Sequence, residues 1–442
     1  MHLIWENTIK NLVLLWTGCF KGLDEGSGSY EIESTVWDAI GAASAASSST
    51  IPGCYGARPP NFVADKSSTT ADTWSFWSLY IGPVLLERRF KNRKYYDHFV
   101  ALVHLLQLCM QFTITEDEIE TIRLGFIDWV TKFEELYYQH DPARVSACPL
   151  TIHALLHLAA MIKSCGPVWA YWAFAMERYC GLIRPAIKSR KRPDASLDRF
   201  VVECAQLYQV SLLYGLEDEI LPLHSRRPDV VPKYALWTEK YPVCTFLPPI
   251  SSTRPPFPLV QKIEKHLATR FNMSDRFTAI KKLVDQAEIR QFSKIHLDDR
   301  DGDTIWAASM YPSGSSHDRR DASYVRVQAL EDKNAHRPRV EPEFEMVTSY
   351  GRLQHIFVLN LPASNVVGLA QPEIVILAGI TSCKVIRKHP KLDIHYYKDE
   401  SMTEELYDAS CVQCVVGRVF DNGLWAIIDR SGSLSRAVWV PD

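Results

Sequence analysis

The chain has 442 residues, 47% of them hydrophobic and 23% charged, which is typical of a globular protein of about three domains. With 49 basic and 52 acidic residues, the formal net charge of −3 excludes a protein that coats nucleic acid with its whole surface but allows local basic patches. The eleven cysteines are scattered and most lie among apolar residues, which indicates reduced, buried thiols of an intracellular protein.

No run of residues is long and apolar enough to predict a membrane-spanning helix. The best candidate, residues 99–112, is shorter than the roughly 20 residues required and contains His104 and Gln107. Residues 11–20 have the character of a signal-peptide core, but Glu6 precedes them and no small-residue cleavage site follows. We therefore expect no membrane partner and no secretion.

The N-terminal third begins with a predicted helix. Within residues 1–23, Trp5, Ile9, Leu12 and Trp16 recur at helical spacing, so one face of this helix is apolar. Residues 24–73 are rich in Ser, Gly and Ala and are predicted to be a flexible linker.

Residues 74–220 are predicted to form a helical domain. The clearest helix follows Thr115, whose side chain and that of Glu118 have the spacing of a capping box. Residues 221–323 are predicted to be a Pro-rich linker with a helical segment from about 258 to 295.

Residues 324–442 change to short β-branched segments separated by turns, which predicts about six strands. We therefore expect an α+β protein, mainly helical over its first two-thirds and ending in a small module that resembles a β-barrel or sandwich.

Two histidines and two cysteines form a candidate zinc site. His153 and His157 are four residues apart and therefore project from one helical face, with Cys148 and Cys165 on either side. Ala154 stands where a metallohydrolase motif of the HExxH type has its glutamate, so a hydrolytic metal site is excluded. A structural zinc and two core or interface histidines remain open as alternatives.

Several other sequence patterns resemble metal-binding or catalytic motifs but lack the residues or spacing that those motifs require. Cys411 and Cys414 lie in a predicted strand, where alternate side chains point to opposite faces and no second pair follows. Asp299, Asp301 and Asp303 alternate as in a calcium loop but lack its glycine and its final glutamate at the required positions. No P-loop, dinucleotide-binding or nucleophile-elbow motif is present in a suitable context.

Two basic clusters are candidates for DNA contact. The 88–94 cluster consists of Arg88, Arg89, Lys91, Arg93 and Lys94. The 184–192 cluster consists of Arg184, Lys188, Arg190, Lys191 and Arg192. Such cations neutralise phosphates, and Phe90, Tyr95 and Tyr96 beside the 88–94 cluster are predicted to stack on bases. Solvated helix ends are the alternative, because cations also favour helix C-termini.

Long segments resemble CACTA-type (En/Spm-like) transposases of the fungal branch. Residues 150–193 read LTIHALLHLAAMIKSCGPVWAYWAFAMERYCGLIRPAIKSRKRP and resemble the helical domain that follows the catalytic domain in that family. Residues 1–16, MHLIWENTIKNLVLLW, are similar to the helix that closes the catalytic domain. Segments 50–62, 74–90 and 410–432 are similar to other parts of the family, whereas 215–320 match least.

The resemblance implies transposition by an RNase H-like domain in which two Asp and one Glu hold two Mg²⁺ ions. Glu6 is the candidate for the last of these carboxylates, and both aspartates are expected upstream of Met1. The chain is therefore expected to be a truncated transposase, catalytically inactive and without a cofactor of its own. A protein-interaction module recruited from a transposase is the alternative.

The same resemblance implies partners and a location. DNA, a second copy of the chain or a full-length transposase are the expected partners, and KSRKRP at 188–193 with the resemblance favours the nucleus over the cytoplasm. The apolar face of helix 1–16 would lack its sheet, so it binds elsewhere in the chain, dimerises or frays. Deleting residues 1–22 is accordingly predicted to leave the melting temperature unchanged.

Overall fold

The structure is a computed structural model that describes residues 2–20, 23, 28–65, 69–189, 191–216, 233–273, 277–297, 302–310, 320–334 and 340–431. Helices dominate the described chain up to residue 214, and strands dominate from residue 244. The expected α+β class is confirmed.

The α-helices of the described residues vary from one turn to six. They are α1 (Ile9–Trp16), α2 (Ser34–Ala46), α3 (Ala71–Phe76), α4 (Gly82–Leu85), α5 (Arg93–Cys109), α6 (Glu116–Phe133), α7 (Leu150–Ala154), α8 (Leu158–Cys165), α9 (Phe174–Ile183), α10 (Pro193–Tyr214), α11 (Phe257–Arg270) and α12 (Phe277–Gln286). A π-helical turn, His2–Thr8, leads into α1. The predicted capping box at the start of α6 is confirmed, because the Thr115 hydroxyl accepts from the Glu118 N–H and the Glu118 carboxylate accepts from the Thr115 N–H.

The strands form one curled sheet in which every described pairing is antiparallel. They are β1 (Cys244–Ser251), β2 (Glu288–Leu297), β3 (Thr304–Trp306), β4 (Tyr324–Asp332), β5 (Phe344–Leu361), β6 (Glu373–Lys388), β7 (His395–Asp408), β8 (Val412–Val415), β9 (Gly417–Asp421) and β10 (Leu424–Ile428). The main path is β1-β2-β5-β6-β7-β10-β9, with β3 on β2 and with β4 joining β5 to β8. Strands β4 to β10 all lie within residues 324–442, the part that the sequence predicts to be strand-rich, and they number seven where about six are expected.

Two segments differ from the sequence-based description. The segment predicted to be a flexible linker contains α2, in which Trp37 and Ile40 are buried. The segment predicted to be a Pro-rich linker contains β1, β2 and β3, and the predicted helix over 258–295 is two helices followed by a strand. The predicted domain boundaries themselves stay a prediction.

Helices and sheet share one buried apolar cluster. It combines side chains of α1, α5 and α6 with side chains of β2, β5 and β6, among them Trp16, Phe99, Phe126, Phe292 and Ile356. A second cluster lies where α11 and α12 cover another part of the sheet. The sheet is therefore covered by helices from both halves of the chain, which is how its apolar side chains are removed from water.

Helix α1 is held inside the main cluster. Ile9, Leu12 and Trp16 are completely buried, and the Trp16 indole donates a 3.0 Å hydrogen bond to the hydroxyl of Tyr137. The apolar face of residues 1–16 was expected to bind elsewhere in the chain, to dimerise or to fray. In the structure it packs elsewhere in the same chain. The prediction that residues 1–22 are dispensable for stability is therefore reversed.

The segment after α2 is fastened to the far end of the sheet. The Arg418 N–H donates to the Thr50 carbonyl at 3.0 Å, and the Thr50 hydroxyl donates to the Arg418 carbonyl at 2.5 Å. The Tyr55 hydroxyl, fully buried, bonds to the carbonyls of Val415 and Ile428 at 3.2 and 2.8 Å. Thr50 and Tyr55 thus contact β9, the end of β8 and the end of β10.

Candidate functional site

The 184–192 cluster lies in the connection between α9 and α10. Prolines at 185 and 193 interrupt the helices, so the chain makes a single 3₁₀ turn, Arg184–Ala186, before α10 begins. The side chains of Arg184, Lys188, Lys191 and Arg192 are exposed. Arg190 lies outside the described residues.

These four cations have no carboxylate partner within the described part of the chain. The nearest described ion pair in α10 joins Arg199 to Glu203, one turn and a half further along. An exposed cation without a carboxylate partner in the chain has its full positive charge available to a ligand. In complexes with nucleic acids, Arg and Lys commonly contact phosphate oxygens. Within the described residues, the connection therefore presents four cations to solvent without a carboxylate beside them.

The 88–94 cluster is largely satisfied from within. Arg89 pairs with Asp421 at 2.5 Å, Lys91 with Glu33 at 3.7 Å and Arg93 with Asp97 at 3.3 Å. Burial raises the pKa of Asp421 and the Arg89 guanidinium opposes that rise. A carboxylate beside each of these three cations offsets the positive charge that would attract a phosphate, so we expect this cluster to be the poorer DNA site.

The aromatic residues beside the 88–94 cluster cannot stack on bases. Phe90, Tyr95 and Tyr96 expose at most 8% of their surface, because they pack into the helical core. The Tyr96 hydroxyl donates to the Pro83 carbonyl at 2.6 Å, which fixes the ring inside. The prediction that these rings interleave with DNA bases is therefore wrong; of this cluster, Arg88 and Lys94 remain as exposed cations outside ion pairs with described residues.

Glu6 lies on the π-helical turn before α1 and is bound by a histidine. Its carboxylate contacts Nδ1 of His2, and Nε2 of the same ring lies 3.5 Å from the carboxylate of Glu177 on α9. An imidazole therefore stands between the two carboxylates. Mg²⁺ requires oxygen ligands that converge on one ion, and a carboxylate pair separated by a ring does not supply them.

No group of three or more His, Cys, Asp or Glu side chains among the described residues is arranged to hold a metal ion. The described residues around Glu6 thus do not fit a two-Mg²⁺ site. Glu6 as a catalytic residue remains a hypothesis from the family resemblance alone.

The zinc candidates are only partly brought together. The Nε2 atoms of His153 and His157 are 3.2 Å apart, across the 3₁₀ turn Leu155–His157 that separates α7 from α8. Burial, and then the charge of Glu134, raise the pKa of Cys148, which disfavours the thiolate that zinc requires. Within the described residues, no third ligand joins the two imidazoles, so the four-ligand site is not assembled.

A cavity of about 340 Å³, which no sequence motif predicts, lies beside α9. Its walls are mainly apolar and aromatic, and they include Trp5, Phe76, Trp169, Trp172 and Arg178. The signal in the sequence is the aromatic run WAYWAF at 169–174, within the segment 150–193 that carries the resemblance. The segments 1–16 and 150–193, which carry most of that resemblance, line the cavity together with residues between 72 and 112 and with Arg430.

Comparisons of the chain with protein-family models, with curated proteins and with solved structures found no match. Among the helices that the structure describes, none has both the length and the apolar character needed to cross a membrane.

Proposed function

We propose that this protein binds DNA through the 184–192 cluster and is related to CACTA-type transposases. The observation that carries the proposal is the exposure of Arg184, Lys188, Lys191 and Arg192 without an ion pair to any described residue. A location in the nucleus and the division into a helical part and a barrel-like β module belong to the same proposal. The nuclear location rests on the resemblance and on residues 188–193, and the division rests on the change to β-branched segments from residue 324.

Phosphate contacts predict a steep dependence of affinity on salt. Each phosphate that a cation neutralises contributes about 0.9 to the slope of log affinity against log salt concentration. Four described cations therefore predict a slope of about −3 to −4 from this cluster. The paired cations of the 88–94 cluster are expected to add little.

The contacts between residues 1–16 and 150–193 support the relationship. His2 of the first segment lies 3.5 Å from Glu177 of the second, and Trp5 lines the same cavity as Trp169 and Arg178. Segments that resemble neighbouring parts of one family thus also lie side by side in this chain. Strand cleavage is not part of the proposal, because the described carboxylates near Glu6 do not converge.

The test is a titration of a short fluorescent DNA duplex with the full chain, by anisotropy, between about 50 and 200 mM salt. We expect binding that weakens steeply with salt. The triple variant Lys188→Gln, Lys191→Gln, Arg192→Gln is expected to reduce the slope by up to about 3.

A matched control removes the same residue types elsewhere. Arg123, Lys132 and Lys163 are exposed, but each pairs with a carboxylate: Glu120, Asp128 and Glu116. Changing these three to Gln lowers the net charge by the same amount and should leave the slope nearly unchanged. Equal losses in both triples, or no salt-dependent binding by the parent chain, contradict the proposal.

A second candidate function is that of a protein-interaction module. The observation that favours it is the row of exposed apolar side chains on α9 and α10, such as Met176 and Leu213. Binding driven by such side chains depends weakly on salt, which separates it from DNA binding in the same titration.

A further inference from the structure

The cavity beside α9 combines a buried aromatic wall with an exposed rim. Seven of the described residues that line it are Trp, Tyr or Phe. Trp5, Phe76 and Leu79 in its wall expose at most 9% of their surface, whereas Trp169 and Ala175 are exposed. A small molecule can therefore reach the buried wall from solvent past these two residues.

The rings near the rim are held by contacts within the chain. The Trp169 indole donates a 3.1 Å hydrogen bond to the Phe112 carbonyl, and the two ring centroids are 6.0 Å apart. The rings of Trp172 and Phe174 lie nearly perpendicular, with centroids 5.2 Å apart. Side chains that are already positioned lose little further conformational freedom when a ligand binds, so this wall is preorganised.

The size and the character of the cavity suit a flat ring. Its volume of about 340 Å³ is at the lower end of the roughly 300–1,000 Å³ of small-molecule pockets. Apolar cavities of about 150 Å³ already take up benzene, because no polar group in them holds water. Aromatic walls favour a planar ligand, whose rings stack on them or meet them edge-on. A ligand of one or two fused rings therefore matches this cavity.

The charges around the cavity favour an anion. Its charged lining residues are Arg178, Arg430 and Asp72, two cations and one carboxylate, so their formal sum is +1. Arg430 is buried, with its guanidinium carbon 4.0 Å from the centroid of the Tyr55 ring. Arg178 is exposed and forms no ion pair with any residue that the structure describes. A ligand with a single negative charge balances this set, whereas a cationic ligand would be repelled.

We infer that this cavity binds an aromatic carboxylate of one or two rings, with the rings against the aromatic wall and the carboxylate towards Arg178. A guanidinium matches a carboxylate because two parallel N–H groups can donate to its two oxygens. A phosphate dianion exceeds the +1 charge of the lining and loses more hydration on entering an apolar cavity.

The inference does not rest on the proposed function. None of the described cations of the 184–192 cluster lines the cavity. DNA binding and the binding of an aromatic carboxylate can therefore fail independently.

The test is a calorimetric titration of the full chain, without DNA, with 2-naphthoate and then with 2-naphthamide. The amide has the same rings and nearly the same shape but no charge. We expect one molecule of 2-naphthoate to bind per chain, about tenfold more tightly than the amide, because only the carboxylate forms charge-assisted hydrogen bonds.

The variant Arg178→Gln tests the role of the cation. Because Arg178 is exposed, the substitution should leave the melting temperature unchanged. It should weaken the binding of 2-naphthoate about fivefold and leave that of the amide nearly unchanged. Arg123→Gln is the matched control, since Arg123 is an exposed arginine of α6 that does not line the cavity, and it should alter neither affinity.

A second variant tests the location. Ala175→Trp adds a large side chain at the exposed part of the lining and should weaken the binding of both compounds. Ala160→Trp, at an exposed position of α8 outside the lining, is its control. The inference is overturned if the parent chain does not bind 2-naphthoate, if it binds acid and amide equally, or if either cavity variant binds like its control.

Discussion

The Arg387 guanidinium donates two parallel hydrogen bonds to the Glu87 carboxylate, at 2.6 and 2.8 Å, and so joins β6 to the residues just after α4. The Tyr396 hydroxyl donates to the same carboxylate at 3.2 Å, and the Tyr396 ring lies 3.8 Å from the guanidinium carbon. Bidentate Arg–carboxylate pairs are among the strongest side-chain hydrogen bonds. This pair connects the helical layer to the sheet over 300 residues of sequence.

We predict that Glu87→Gln lowers the free energy of unfolding by about 2 kcal/mol at neutral pH, because Arg387 then keeps its charge without a carboxylate. Urea unfolding measures the change, and a cycle with Arg387→Met isolates the pair. The expected coupling is about 1–3 kcal/mol. A coupling near zero would show that the two side chains act separately.

The Glu87–Arg387 pair should also weaken in acid. Burial by itself raises the pKa of Glu87, but the hydrogen bonds and charge of Arg387 outweigh it and hold the pKa below its usual value. A lowered folded-state pKa stabilises the fold above the unfolded value of about 4.3. This contribution is lost as the pH falls through the folded-state value, and the difference between the parent chain and Glu87→Gln should shrink accordingly.

His98 should make the fold less stable in mild acid. Burial lowers its pKa to about 4, only partly opposed by the hydrogen bond between its Nε2 and the Trp129 carbonyl, and the ring stacks on Trp129 with centroids 4.4 Å apart. The unfolded chain binds a proton here near pH 6.5 and the folded chain does not. Stability is therefore complete above pH 6.5 and declines between about 6.5 and 4.

The effect of His98 can be measured as the difference in unfolding free energy between two pH values. Between pH 7 and pH 5, His98 should account for about 2 kcal/mol of lost unfolding free energy. His266, His389 and His395 also have pKa values lowered by burial and act in the same direction. Urea unfolding of the parent chain and of His98→Phe, each at pH 7 and pH 5, isolates the contribution of His98, because the other three histidines are present in both proteins. An equal loss of unfolding free energy in the two proteins would show that His98 is not responsible.

Removal of the Trp16 side chain should be severely destabilising. Trp16 is completely buried, donates to Tyr137 and meets the rings of Phe90 and Phe99 edge-on. We expect Trp16→Ala to cost about 3–5 kcal/mol. Leu14→Ala, on the exposed side of the same helix, should cost less than about 1 kcal/mol. Deleting residues 1–22 should lower the melting temperature by many degrees, the reverse of the sequence-based prediction.

A side chain at Gly379 should displace the carboxylate of Glu404. A Cβ atom there would lie 1.8 Å from a Glu404 carboxylate oxygen, the same oxygen that contacts His355 Nδ1 at 2.8 Å. Gly379→Ala is therefore expected to cost about 1–3 kcal/mol in unfolding free energy. Gly181→Ala is the control, since no atom lies within 4 Å of its Cβ position and the residue is in α9. That variant should be neutral or slightly more stable.

The sequence predicted the elements that carry local signals. Strands β4 to β10 were found because β-branched segments alternate with turns, and α6 because Thr115 and Glu118 have capping spacing. Strand β1 was missed because Pro248 and Pro249 indicated a linker. Strand β2 was missed because it follows α12 within two residues and its short apolar run fits a helix equally well.

The candidate site was harder to predict because its decisive properties are long-range. Asp421, which pairs with Arg89, is 332 residues away in the sequence, so the loss of Arg89 as a free cation has no local signal. The burial of Tyr95 and Tyr96 likewise depends on tertiary packing that the spacing of nearby residues does not encode. Exposure without a carboxylate partner, which distinguishes Lys188 and Arg192, is likewise a property of the fold. Each cluster has five cations, so charge alone does not show which of them is exposed and unpaired.

The bonds between Thr50 and Arg418 have a consequence for solubility. Strand β9 ends the main path of the sheet, and such an edge strand offers unpaired N–H and carbonyl groups on which a strand of another molecule can grow. Thr50 forms hydrogen bonds with both the N–H and the carbonyl of Arg418. The Tyr55 hydroxyl bonds to the carbonyls of Val415 and Ile428, at the ends of β8 and β10. This short segment therefore blocks regular strand pairing at Arg418, which removes one place on the edge where an intermolecular sheet could start.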